Sequence, residues 1–292
     1  MSQIFPDFGS ENGQYPTFYE IFSGAENLTS IPGTLFSGYT VGRPTMFDWA
    51  FGETGITSIP GDLFANITTA SDSTFAWTFA DCASLTSIPE NLFASIRNPV
   101  ATGAGPWNTG ASDMFAGIFS NCTSLRTIPE NLFRNFTTGF YGMFEYAFEG
   151  CTGLTALPEN LFANITTLVA SDSRDLFYRT FNGCTGLRGY IPPSLFAGLI
   201  ANGSPYQSAM ILDTFANTGL DESCPSGTVQ YITGYENYLS GKVSCEVPKT
   251  VNMTFDGASP MSCTIGGTYV PPTPEPRPGY VFTGWKVKTV TP

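Results

Sequence analysis

The chain has 292 residues, of which 42% are hydrophobic and only 12% are charged. The charged share is about half that of an average globular domain, so solubility must depend on Ser, Thr, Asn and Gly. The formal net charge is −12, and such an acidic chain without a basic stripe is not expected to bind nucleic acid or to dock on anionic lipid.

The first ten residues carry neither the positive charge nor the apolar run of a signal peptide. We therefore expect either a cytosolic chain or a leader that lies outside this sequence. No run of 18 apolar residues occurs, so direct membrane insertion is not predicted. Residues 1–17 carry Phe5, Phe8 and Tyr15 among Pro and Gly. We interpret them as an N-terminal cap, because the residues that follow repeat and the end of a repeat stack must be covered.

From residue 18 onward the sequence repeats itself. An Ile-Pro or Leu-Pro dipeptide recurs at spacings of 28, 29, 40, 29 and 34 residues, and two aromatic residues four apart precede it each time. The six pairs are Phe18/Phe22, Phe47/Phe51, Phe75/Phe79, Phe115/Phe119, Phe144/Phe148 and Phe177/Phe181. A period of about 20 to 50 residues is typical of solenoids, in which each unit covers the next. Six copies and a shortened seventh at Ile211/Phe215 predict one solenoid over residues 18–222.

The third copy illustrates the elements expected in each unit. Phe75 and Phe79 are four residues apart, which predicts a short helix with one buried aromatic edge. Leu85 and Ile88 should point inward from a very short strand that Pro89 ends. An N-cap residue two positions after each proline predicts a second helical turn. These N-cap residues are Thr34, Asp62, Asn91, Asn131, Asn160 and Ser194.

The segments FEGCTGLTALPENLF at residues 148–162 and FNGCTGL at residues 181–187 resemble the BspA-like family of leucine-rich repeats. This family occurs on surface proteins of bacteria and of some mucosal protists, and its repeats are generic interaction scaffolds. The resemblance covers about residues 18–220 and implies an α/β repeat fold. That fold is a leucine-rich-repeat-like solenoid of short helical turns and short parallel strands, followed here by a small β-rich module. The spacing of the copies is longer and less regular than is usual in the family.

The longest spacing contains the loop at residues 97–112, which is rich in Gly and Pro and carries Trp107. Loops on rigid scaffolds often carry function, so Trp107 and its neighbours Pro106 and Asn108 are the candidate ligand contacts. The alternative is that Trp107 folds back onto the stack.

Residues 223–249 alternate strand-like and polar residues between Cys224 and Cys245. We interpret this segment as the C-terminal cap and connector of the solenoid. Cys224 and Cys245 are candidates for a disulfide in an oxidising compartment, which would leave Cys263 unpaired.

Residues 250–292 form the predicted β-rich module. The sequence PGYVFTGW at residues 278–285 resembles the internalin-type B-repeat, a small β-grasp-like module of bacterial surface proteins. The expected strands are residues 251–255, 263–265 and 280–288. The segment ends where such modules often continue, so a truncated module is one interpretation.

Four cysteines occupy the same position in consecutive copies, three residues after the second phenylalanine. They are Cys82, Cys122, Cys151 and Cys184, and the phenylalanines are Phe79, Phe119, Phe148 and Phe181. We expect these residues to form a core ladder in which the thiols are free and behave as small hydrophobes. Disulfides between neighbouring units are the alternative. A zinc site is not predicted, because the chain has no histidine and no Cys-x-x-Cys pair.

No catalytic residues, metal or cofactor are predicted. Histidine, the usual base for a nucleophile, is absent, and no phosphate-binding glycine loop follows a strand. The first hypothesis is a non-enzymatic cell-surface or secreted adhesion protein that binds a protein or glycan on another cell or matrix. The second is a subunit of an extracellular filament or surface layer that binds copies of itself. A glycoside hydrolase with two carboxylates is a remote third.

Overall fold

A computed structural model describes residues 18–97, 110–169, 174–201, 208–224, 230–231, 242, 244–245, 250–253 and 261–264. The expected N-terminal cap and the strand expected at residues 280–288 lie outside these residues.

Regular elements in the described residues are short. The helical elements are α1, Ala197–Ala201, and a 3₁₀ helix, η1, Ser208–Ile211. The strands form three two-stranded pairs. Strand β1, Thr138–Gly139, runs parallel to β2, Thr167–Leu168. The antiparallel pairs are β3, Gln230–Tyr231, with β4, Ser244–Cys245, and β5, Thr250–Met253, with β6, Met261–Thr264.

The aromatic pair of each copy lies in a run of consecutive turns. In the third copy the amide of Ala76 donates to the carbonyl of Ser73 at 3.1 Å, three residues back. The amide of Phe75 donates instead to Met114 of the fourth copy at 3.0 Å. The same alternation recurs in the first six copies, so every second amide bonds within a copy and the others bond to the next copy.

Left-handed backbone recurs at every fourth residue of these runs. In the third copy, φ is 52° at Ser73, 51° at Trp77 and 59° at Asp81. A right-handed helix has negative φ throughout and uses its interior amides internally. The short helix expected around Phe75 and Phe79 is therefore wrong, because half of the amides there are needed to bond the next copy.

The segments between the turn runs also bond neighbouring copies. Ser58 forms a parallel bridge with Ser87, and Val41 forms one with Thr69. The very short strand expected before each proline is thus reduced to a single bridge between the second and third copies. The second helical turn expected after each proline is again a run of turns in most copies, whereas the sixth copy contains helix α1.

Three ladders of phenylalanine rings run through the copies and form the core. Consecutive rings stack with centroids 5.3 to 6.2 Å apart and with planes within 18° of parallel. The first ladder holds Phe18, Phe47, Phe75, Phe115, Phe144 and Phe177; the second Phe22, Phe51, Phe79, Phe119, Phe148, Phe181 and Phe215; the third Phe36, Phe64, Phe93, Phe133, Phe162 and Phe196. Almost all of these rings are fully buried.

The described residues beyond 224 contact residues 18–222, for example through an ion pair between Lys242 and Glu222 at 2.8 Å. Ser244, in β4, forms a parallel bridge with Ile191 of the sixth copy. Strands β5 and β6 overlap the strands expected at residues 251–255 and 263–265, although β6 begins two residues earlier. The domain boundaries and the leucine-rich-repeat class stay predictions. Among the described residues, no helix has the length and hydropathy needed to cross a membrane.

Candidate functional site

The turn runs expose one regular surface, which we call the turn face. It is built on the side chains of left-handed residues, which lie in columns because neighbouring copies are bonded in register. It also includes the partly exposed side chains next to them, such as Asp48, Glu145 and Tyr178. The middle column lies between the two inward phenylalanine ladders and holds Glu20, Trp49, Trp77, Gly117, Tyr146, Arg179 and Asp213. In this column Glu20 is exposed, and Trp49, Trp77 and Tyr146 are partly exposed.

Aromatic rings line up along this face. The rings of Trp49 and Trp77 are stacked, with centroids 5.7 Å apart and planes 7° from parallel. The ring centroids of Trp77 and Tyr146 are 5.8 Å apart. The Tyr146 ring packs edge-on against the ring of the partly exposed Tyr178, with centroids 5.3 Å apart. We call Trp49, Trp77, Tyr146 and Tyr178 the aromatic row.

Gly117 is the reason that the row continues across the fourth copy. A Cβ atom at this glycine would overlap the ring of Trp77. The indole therefore occupies the space of the missing side chain and reaches Tyr146 of the fifth copy. Gly117 also has a φ of 58°, which glycine adopts without steric cost.

One end of the row carries a cation. The guanidinium of Arg179 lies 5.5 Å from the centre of the Tyr146 ring, within the range of a cation–π interaction. Its Nη2 atom is 2.6 Å from Oε1 of Glu149, and both side chains are partly exposed. Arg179 is thus held by a ring and a carboxylate together.

The opposite end of the row carries two carboxylates. Asp48 precedes Trp49, and burial together with the nearby charge of Glu20 raises the pKa of Asp48 to about 6. A hydrogen bond to Glu20 and the charges of Glu20 and Asp48 contribute to raising the pKa of Tyr19. Oδ1 of Asp48 is buried and has no hydrogen-bond partner among the described residues.

A second acidic group lies beside Tyr146. Burial, followed by the charges of Asp113 and Asp175, raises the pKa of Glu145 to about 7. Carboxylates in this arrangement repel one another, so protonation relieves the repulsion. No group of three or more potential ligands in the described part of the chain is arranged to hold a metal ion.

The four cysteines of the core ladder are free and buried. Each thiol donates a hydrogen bond to the carbonyl of the second phenylalanine of the preceding copy, at 3.0 to 3.2 Å. Burial raises the pKa of Cys82, Cys122, Cys151 and Cys184 above the ordinary value for a thiol. Disulfides between neighbouring copies are therefore absent at these positions, and the thiols act as buried hydrogen-bond donors.

The remaining predicted site residues are placed as follows. Pro106, Trp107 and Asn108 lie outside the described residues. Cys224 is disulfide-bonded, and its Sγ lies 3.8 Å from the carbonyl oxygen of Ser244. Because Ser244 precedes Cys245, this position favours Cys245 as the partner, and the Cys224–Cys245 pairing stays a proposal.

The aromatic row was missed by the reasoning from sequence. Its signal was available, because a Trp or Tyr stands midway between the paired phenylalanines in three of the copies. The assumed helix concealed it, since residues two apart on a helix do not share a face with their neighbours. A comparison with protein-family models, curated proteins and solved structures gave no match for this chain. The resemblances to the BspA-like and B-repeat families therefore stay predictions.

Proposed function

We propose that this chain is a non-enzymatic binding protein, secreted or displayed on a cell surface, that contacts a protein or glycan partner through the aromatic row. The observation that supports this most is the alignment of partly exposed rings from separate copies on one face. Tyr, Trp and Arg are enriched at the centres of protein interfaces, where their rings provide contact area at little cost in conformational entropy.

The row is also rigid. Each ring is attached to a turn whose amides bond the adjacent copy, as in the bond from Trp77 to Ala116 at 2.7 Å. The ring positions are therefore set before a partner arrives, which reduces the entropy lost on binding. An extended face of this kind matches the scaffold role that the BspA-like resemblance implies.

A screen of immobilised glycans and extracellular-matrix proteins tests this proposal. We expect the wild-type chain to bind at least one of these surfaces, and the double variant Trp77→Ala, Tyr146→Ala to lose that binding while keeping its melting temperature within a few degrees. Val41→Ala removes an exposed apolar side chain away from the row and should bind as the wild type does. Binding that survives the double variant but is lost in Trp107→Ala would move the site to the loop at residues 97–112 and overturn the role of the row.

The filament hypothesis has one observation in its favour. All bonds between turn runs point the same way, from the amide of one copy to the carbonyl of the next, as from Phe18 to Met46 and from Phe177 to Met210. The two ends of such a stack are complementary, which suits head-to-tail assembly. Light scattering over a hundredfold concentration range separates the hypotheses. We expect a constant mass for a binding protein, whereas growth with concentration would favour the filament.

The glycosidase alternative depends on Glu145. A carboxyl group with a raised pKa is what a glycosidase uses as its general acid, but burial and two neighbouring carboxylates already account for the raised pKa of Glu145. We expect no turnover on a panel of aryl glycosides. Turnover that disappears in Glu145→Gln would contradict the non-enzymatic assignment.

A further inference from the structure

Arg179 shows how the turn face holds a guanidinium. The cation lies 5.5 Å from the centre of the Tyr146 ring and forms an ion pair with Glu149 at 2.6 Å. A ring supplies the quadrupole and a carboxylate supplies the opposite charge, so each strengthens the hold on the cation.

The other end of the aromatic row also combines an aromatic ring with carboxylates, but it holds no cation of the described residues. Trp77 covers one side of the Trp49 indole, and Glu20 occupies the next position of the middle column on the other side. Asp48 is bonded through its carbonyl to the amide of Glu20 at 3.0 Å, which fixes the two acidic residues side by side. Tyr19, which is 49% exposed, lies beside both.

No cation of the described residues forms an ion pair with either of these carboxylates. The adjoining residues 1–17 contain no Lys or Arg. Two like charges are thus held close together, and Oδ1 of Asp48 is buried without a hydrogen-bond partner in the described part of the chain. Burial, followed by the charge of Glu20, raises the pKa of Asp48.

We propose that Trp49, Glu20 and Asp48 form a binding site for the guanidinium of an arginine side chain on a partner protein. The proposal rests on the proposed function and names the partner class, a basic protein segment. The net charge of −12 favours the approach of such a segment over long distances.

Arginine suits the site better than lysine or a sugar. Its planar guanidinium stacks on an indole and can donate to two carboxylates at once, whereas an ammonium group is a compact and strongly hydrated charge. A neutral glycan would leave both carboxylates without a counter-charge. The site therefore selects arginine over a neutral glycan by pairing its charge with the carboxylates, in addition to the contact with the Trp49 ring.

Titration calorimetry of the full chain with acetylated hexa-arginine, in about physiological salt, tests this inference. We expect saturable binding that is weaker for hexa-lysine. Trp49→Ala should weaken the binding at least about fivefold, since it removes the cation–π contact. Glu20→Gln combined with Asp48→Asn should weaken it more than about tenfold. Trp49→Phe keeps a ring at the site and should retain most of the binding.

The matched control is Glu90→Gln combined with Glu130→Gln. It removes the same two charges from carboxylates that lie outside the turn face and accept hydrogen bonds from Asn131 and Asn160. We expect its affinity for hexa-arginine to stay within about twofold of the wild type, because distant exposed charges are screened. An equal loss in this control, or unchanged binding in Trp49→Ala, would overturn the site and leave only a general attraction between opposite charges.

Two further outcomes separate this inference from the proposed function. If a neutral oligosaccharide binds in a Trp49-dependent manner and hexa-arginine does not, the arginine site is wrong while the aromatic row keeps its role. If hexa-arginine binds only after Arg277, Lys286 and Lys288 are changed to Gln, the site binds basic residues of its own chain, and the proposal of a separate partner protein is wrong. Retained hexa-arginine binding with no binding in the array screen would reject the proposed function instead.

Discussion

Burial is the main cause of the raised pKa values of two carboxyl groups on the turn face. The pKa of Asp48 is raised to about 6 and that of Glu145 to about 7. Between the ordinary values and these raised values, the folded chain binds more protons than the unfolded chain. The free energy of unfolding therefore falls as the pH rises through this window. We expect the melting temperature to decrease as the pH rises from about 4 to about 7 and to level off above that range.

The same two residues provide the test of this dependence. Asp48→Asn combined with Glu145→Gln removes both titrations, so its melting temperature should vary less with pH between 5 and 8. Glu90→Gln combined with Glu130→Gln changes the net charge equally and should keep the wild-type slope. Equal slopes in all three proteins, recorded by thermal melts, would show that other groups set the dependence. Equally reduced slopes in both variants would show that net charge sets it.

The buried cysteines lead to a prediction about reactivity. Cys122 and Cys151 are fully buried, and burial raises the pKa of both thiols well above the ordinary value. Because the thiolate is the reactive form, we expect Cys82, Cys122, Cys151 and Cys184 to resist iodoacetamide in the folded chain and to react after unfolding in guanidinium. Mass spectrometry of the digested protein gives the answer for each site, and rapid labelling of the folded chain would contradict the burial.

The phenylalanine ladders run through the buried core. Phe119 stacks on Phe79 at 5.7 Å and on Phe148 at 5.6 Å, and it is fully buried. Phe119→Ala should lower the free energy of unfolding by about 3 to 5 kcal/mol. Val41→Ala, at a position 47% exposed, should change it by less than about 0.5 kcal/mol. Urea unfolding measures both, and a small effect at Phe119 would contradict the ladder.

The left-handed turns make a distinct prediction for glycine. Glu53 has a φ of 57°, and glycine occupies the equivalent position at Gly24, Gly150 and Gly183. Left-handed backbone costs other residues about 1 to 2 kcal/mol, which offsets the entropy lost by glycine. Glu53→Gly should therefore be neutral or stabilising by up to about 1 kcal/mol.

The matched control for Glu53→Gly is Ala83→Gly, at an exposed residue that does not have positive φ. It should lose about 0.4 to 1 kcal/mol. If the two glycine substitutions lower the free energy of unfolding equally in urea, the turn run that contains Glu53 is better described as a helix, in which glycine costs about 1 kcal/mol.

Sequence predicted some of these elements and not others, for physical reasons. The spacing of the phenylalanines indicated which rings stack, because buried residues must recur once per unit. It did not distinguish a helix from a run of turns, since a separation of four residues brings side chains together in both. The positive φ values at Trp49, Trp77 and Tyr146 could not be foreseen, because bulky residues rarely adopt them without support from neighbouring copies.

At the scale of the whole molecule, register is kept although the copies differ in length. The step from the third to the fourth copy is the longest, yet the amide of Ser73 still bonds Ser112 at 2.8 Å and that of Asp81 bonds Ser120 at 2.7 Å. The rings on either side of the additional residues keep their stacking, with Phe75 5.7 Å from Phe115 and Phe93 6.0 Å from Phe133 between ring centroids. A rigid stack with variable loops is therefore compatible with both the turn face and the loop at residues 97–112 as binding surfaces.

Both the ladders and the turn face require that the third copy stack directly on the fourth. Asn121 donates a hydrogen bond to Oδ1 of Asp81 at 2.9 Å on the turn face, and bonded neighbouring chains lie about 4.8 Å apart, within the Cα range of a disulfide. Cysteines introduced by Asp81→Cys and Asn121→Cys should therefore link under mild oxidation, as peptide mapping by mass spectrometry would detect. The control pair Asp81→Cys with Gly150→Cys spans two copies and should stay unlinked; linkage of the control pair without linkage of the first would contradict the stacked arrangement.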